Sequence, residues 1–232
     1  MTPPSRCDDA RAIARDALCE GYLLDPYAAG PAKVRSRWSF GVLHARAGAD
    51  AGRGERWSVR AQGLARAPGE SRLAVRARFL QLASALVPAG EDGAAGARDR
   101  QVDSEPASLW SLCERPLVRS IAFPGLGGEL SVGVDAAAGG FFRVTAELRN
   151  LSAPAAEPLA SAFLSAHLLL GLERGAFVSL TDPAPDARAA AASCVCEGLR
   201  LSLVGAERES SLALASPVIQ FDGPSLAAES TG

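Results

Sequence analysis

Phe142-Arg143-Val144-Thr145-Ala146-Glu147-Leu148-Arg149-Asn150 alternates apolar and polar side chains without a break, and Asn150 closes the run. Successive side chains of a strand point to opposite faces, so this period of two predicts a strand with one buried and one wet face. The same period recurs along the chain. Leu73, Val75, Ala77 and Phe79 are set against Arg72, Arg76 and Arg78. Leu130, Val132 and Val134 repeat the pattern, Trp57 and Val59 show it briefly, and Trp38, Phe40 and Val42 follow it against Arg37, Ser39 and Gly41. Short half-buried strands of this kind assemble into antiparallel sheets. Further short strands are expected around Leu199–Val204 and Ser211–Gln220.

Helical periodicity is sparser. Asp8 or Asp9 can cap a helix with Ala10, Ile13, Ala14, Ala17 and Leu18 on one face, ending near Gly21. After Pro158, the positions Leu159, Phe163, Ala166, His167 and Leu170 predict a second, strongly apolar helix that ends before Gly175 and packs across the sheet. An Ala-rich helix is expected from Pro185 to about Cys194. The fold class is therefore α+β: a predominantly antiparallel, sandwich-like sheet with two or three packed helices. Residues 1–232 form a single domain, interrupted by a polar, low-complexity segment at 88–106 that reads as flexible. Gly48–Arg56 reads as a hairpin or longer loop, and Gly125-Leu126-Gly127-Gly128 as a turn.

Composition narrows the function classes. With 24 Lys+Arg against 26 Asp+Glu, the net charge of -2 supplies no field to draw in nucleic acid. No stretch of the sequence suits membrane insertion, and the N-terminus lacks an apolar signal region, so a cytoplasmic location is expected. Five cysteines without regular spacing agree with a reducing compartment.

Familiar catalytic motifs are missing. The only lysine, Lys33, lies in Ala32-Lys33-Val34 and not in a phosphate-binding loop. There is no Gly-x-Ser-x-Gly elbow and no His-Glu-x-x-His pair. Cys194-Val195-Cys196 is short of the paired spacing of structural zinc and fits buried thiols better. His167 falls on an apolar stripe, which suits a hydrogen-bonded core histidine. Asp182-Pro183 and Asp222-Gly223-Pro224 match turn chemistry. Cys194, Cys196 and His167 with an aspartate near Asp182 or Asp222 constitute the weak metal or enzymatic alternative. No cofactor is expected, and the reading leans against an enzyme.

The stretch from Glu20 to Val42 differs from its Ala/Leu/Arg-rich surroundings. It interleaves aromatic rings with cations, the combination that binding hot spots use, because rings bury much area at low entropy cost and Arg adds directed hydrogen bonds. Trp38 and Phe40 are assigned as structural anchors, and Tyr22, Tyr27, Lys33, Arg35 and Arg37 as candidate partner contacts.

Two motifs here, Leu18-Cys-Glu-Gly-Tyr-Leu-Leu-Asp-Pro-Tyr27 and Lys33-Val-Arg-Ser-Arg-Trp-Ser-Phe-Gly-Val42, resemble those of an uncharacterised bacterial family common in actinobacteria. Weaker similarity continues in Val75–Leu82, Ser165–Gly171, Gly175–Pro183 and Ser216–Asp222. Members of that family are encoded beside oxygen-tolerant nickel-iron hydrogenases. The resemblance implies an accessory role with a protein partner, either a hydrogenase subunit or a maturation factor. Neither hydrogenase subunit itself fits, because the cysteine motifs that hold nickel and iron-sulfur clusters are lacking. Two positions depart from the family pattern, Asp25 for an aromatic and Val34 for asparagine, and relatives continue past the point matching Glu229.

Overall fold

The computed structural model describes residues 41–49, 55–82 and 97–217. Two six-stranded antiparallel sheets face each other. In the first, the order is β11 (Glu209–Ser210), β9 (Ala176–Val178), β1 (Ser58–Arg66), β7 (Phe141–Asn150), β6 (Leu126–Ala137) and β5 (Leu117–Phe123). In the second it is β10 (Arg200–Leu203), β12 (Leu212–Ser216), β8 (Leu164–Leu172), β2 (Arg72–Leu82) and β3 (Ala97–Asp103), with β4 (Ala107–Ser108) also paired to β2. The predominantly antiparallel, sandwich-like α+β architecture expected from the alternating runs is the one found.

The alternation sets the core. Val144, Ala146 and Leu148 of β7, with Leu130, Val132 and Val134 of β6, face Leu73, Val75, Ala77 and Phe79 of β2 and Ala166, Leu168 and Leu170 of β8. All are buried in one continuous cluster. Each fully buried Leu, Val or Phe contributes about 1.5–3 kcal/mol relative to exposure, so this cluster dominates stability. At its centre the rings of Phe79 and Phe163 stack at 4.1 Å, with Phe123 edge-on to Phe79 at 6.2 Å. Gly128 makes room for that stack: a Cβ there would lie 2.8 Å from the Phe163 ring and 2.5 Å from the Arg149 carbonyl.

Asn150 ties three segments together. It is wholly buried; its Nδ2 donates to the carbonyls of Leu43 and Ser161, each at 2.8 Å, and its Oδ1 accepts from the Ser152 amide at 2.9 Å. A buried polar group is tolerated when fully paired in this way.

Two expectations need correction, and one element is additional. Residues 164–172 form a strand, not the helix expected after Pro158; only a 3-10 turn at Pro158–Ser161 precedes it. The reason is that β8 is a central strand between β12 and β2 and is buried on both faces. Its run Leu168-Leu169-Leu170 therefore carries no alternation, and periodicity cannot separate a doubly buried strand from a helix. Within the segment expected to be flexible, residues 97–103 form β3, held in register to β2 from Arg76↔Asp103 to Leu82↔Ala97. Its charges mimic a linker composition, yet they pair across the ladder. A short helix, α1 (Leu109–Glu114), was not expected; Ser108 caps it by accepting from the Ser111 amide at 3.1 Å.

Other expectations agree. The Ala-rich helix is present as α2 (Arg188–Ala192), and the two late strands are β10 and β12. The glycine-rich turn is confined to Pro124–Gly125 between β5 and β6, where Gly125 has φ +78° and strand pairing resumes at Leu126. The first expected helix, and the expected strand from Arg37 up to Phe40, lie outside the described residues. Among the described residues no helix is long and apolar enough to cross a membrane.

Candidate functional site

The candidate contacts Tyr22, Tyr27, Lys33, Arg35 and Arg37, and the anchors Trp38 and Phe40, all lie outside the described residues, as does Asp222. The chain enters the described part at Gly41, whose carbonyl accepts from the Ala166 amide at 3.1 Å, and Leu43 then exchanges backbone hydrogen bonds with Phe163 at 2.8 and 2.9 Å. Gly41–Leu43 is thus tied to the start of β8.

Here β8 carries an irregularity. Pairing with β2 shifts by one residue between Arg78↔His167 and Leu80↔Leu164. Ser165, in the extra position, has φ +50°, the only left-handed non-glycine backbone among the described residues. A bulge of this kind re-aims the side chains beside it. His167 Nδ1 donates to the Ser165 carbonyl at 3.0 Å, which fixes the tautomer and leaves the Nε2 lone pair buried without a partner. Burial pushes the imidazole below the usual histidine range, the Ser165 contact opposes this, Arg78 lowers it further and Asp99 raises it.

Core residues Ala166, Leu168 and Leu170 alternate with His167, so His167 sits on the outer face of the second sheet. Arg78, directly opposite in register, shares that face. Only 8% of Arg78 is exposed, and its Nη2 donates to Asp99 Oδ2, while Nε and Nη1 have no partner. The result is a buried cation and a neutral imidazole, incompletely paired, with an exposed carboxylate at their rim. The sequence hid it, because Arg78 alternates with core residues just as solvated Arg72 and Arg76 do.

Cys194 and Cys196 lie elsewhere. The segment after α2 covers the outer face of the first sheet: Gln62 of β1 accepts from the Val195 amide at 2.8 Å and donates to Thr145 of β7 at 3.1 Å. The Cys194 thiol faces the Ala190 carbonyl at 3.7 Å and the Cys196 thiol the Gln62 carbonyl at 3.6 Å. Burial raises the Cys194 thiol above its ordinary range, with Arg143 opposing and Cys196 adding to the rise. A raised thiol is a poor nucleophile and a poor metal ligand near neutrality. Asp182 forms an exposed ion pair with Arg208 at 3.1 Å.

The metal or enzymatic alternative required His167, Cys194, Cys196 and an aspartate to converge. Instead His167 lies on the outer face of the second sheet, Cys194 against the satellite apolar cluster outside the first, and Cys196 beside β1 of the first sheet, packed against the central core. Among the described residues no group of three or more His, Cys, Asp or Glu side chains could hold a metal ion. A cavity of about 220 Å³ lies between Ser179–Thr181 and Arg200–Leu203. It is smaller than the ~300–1,000 Å³ typical of small-molecule sites. Comparison with known proteins finds no family model that matches the chain and no match among curated proteins.

Proposed function

We propose that this chain is a non-catalytic accessory protein of a nickel-iron hydrogenase system, acting by binding a hydrogenase subunit or maturation factor. The observation that carries the reading is the pair of aromatic and basic motifs at Leu18–Tyr27 and Lys33–Val42, with their resemblance to a family encoded beside such enzymes. Tyr22, Tyr27, Lys33, Arg35 and Arg37 are the contact residues it assigns. The placement of His167 on the second sheet and of Cys194 and Cys196 beside the first supports binding over chemistry, since general acid-base or metal work needs such groups within hydrogen-bond or ligand distance.

The test is co-purification of the tagged protein from hydrogenase-expressing cells, with bound proteins identified by mass spectrometry. A hydrogenase subunit or maturation protein should be retained, and the double substitution Lys33→Glu, Arg35→Glu should release it while leaving the melting temperature nearly unchanged. Recovery of the protein alone from such cells, at native expression levels, would overturn the reading.

A further inference from the structure

Among the described residues, the four edges of the two sheets are unequal. An exposed edge strand offers unpaired backbone groups to any neighbouring strand, and monomeric proteins protect such edges by shortness, charge, proline or bulges. β11 has two residues and β10 four, so shortness protects both. β3 has seven but carries Arg98, Asp99, Arg100 and Asp103. β5 also has seven, yet within Leu117-Val-Arg-Ser-Ile-Ala-Phe123 the sole charge is Arg119, there is no proline, and pairing to β6 runs without a bulge. Val118, Arg119, Ser120 and Ala122 are all exposed, Val118 by 55%.

We propose that β5 is the contact edge of a two-fold homodimer, joining the first sheets of two copies into one continuous antiparallel sheet. The pairing register follows from symmetry. A two-fold perpendicular to a sheet keeps each side chain on its own face, so paired residues must be of equal parity and the axis must pass through a residue. An axis at Arg119 would set that cation against itself. An axis at Ser120 engages the whole strand: Leu117 meets Phe123, Val118 meets Ala122, Arg119 meets Ile121, and Ser120 meets its own copy. The directly opposed pairs are then apolar or small except Arg119 with Ile121, and the two Arg119 side chains are only diagonal neighbours, roughly 7–8 Å apart at the backbone. No like charges stand opposite each other. This inference concerns self-association and is independent of the accessory-protein reading.

Sedimentation equilibrium of the full chain should show a concentration-dependent doubling of mass. Ser120→Arg sets two cations face to face on the axis and should return the protein to a monomer with an unchanged circular dichroism spectrum, whereas Ser202→Arg on the β10 edge should leave the dimer intact. In a Cys113→Ser background, Ser120→Cys should cross-link into covalent dimers on mild oxidation. A single monomer mass up to the solubility limit would overturn the proposal, and so would a dimer that survives Ser120→Arg.

Discussion

The two outer faces of the sandwich solve the same problem differently. On the first sheet, α2 and the segment through Glu197 lie over β1 and β7, burying Leu64, Phe141, Val178, Ala187, Ala190 and Ala191 in a satellite cluster and ending in well-paired contacts to Gln62. On the second, Arg78 and His167 are buried at the β2–β8 junction with Arg78 Nε, Arg78 Nη1 and His167 Nε2 lacking partners. One face is closed by apolar packing, the other holds a charge out of water beside a neutral imidazole. Burial of an incompletely paired polar group is costly, so the second face is where electrostatics should control stability and the first where side-chain volume should.

Four substitutions separate these behaviours, in descending order of effect. Phe141→Ala should cost about 3–5 kcal/mol, because it empties the centre of the satellite cluster, and chemical denaturation would measure it. A loss under one kcal/mol would mean that α2 rests only loosely on the sheet. Asp99→Ala leaves Arg78 without its counter-charge. The expected loss is about 1.5–3 kcal/mol, towards the lower figure because the Asp99 side chain is 51% exposed and water can approach.

His167 predicts a pH dependence of definite sign. Its folded-state affinity for protons lies below that of an ordinary histidine, so between those two values the unfolded chain binds more protons than the native one. Stability should therefore fall as pH drops through about 6.5. Arg78 and Asp99 are the charged groups that act on the ring, in opposite directions. Thermal melts at descending pH should show the fall, and His167→Leu should flatten it while Phe141→Ala leaves the slope untouched. Gln62→Ala, on the well-paired face, should cost only about 0.5–1.5 kcal/mol, since the groups it releases are close to solvent. A penalty as large as that of Phe141→Ala would show that hydrogen bonding, not packing, closes the first face.

Residue pattern alone revealed the strands with one dry side. β2, β6 and β7 alternate cleanly, and each proved to have its apolar set in the central cluster. It misled at β8, where both sides are covered and helical spacing arises by chance among six apolar positions. It misled again at 97–103, where four charges suggested a solvated linker although Arg76–Asp103 and Arg78–Asp99 pair across the ladder. His167, Cys194 and Cys196 were identifiable as chemically interesting, but nothing in their spacing revealed that the histidine belongs to one sheet and the cysteines lie beside the other.

The sequence by itself determined the antiparallel sandwich class, because alternation of polar and apolar side chains is a local property that each strand carries on its own. It also marked the Glu20–Val42 stretch through motif content. Tertiary structure alone decided which outward positions are wet, which edges are open and which reactive groups can meet. Those depend on what packs beside a strand, and Arg78 is buried while Arg72 is exposed only because different neighbours stand over them.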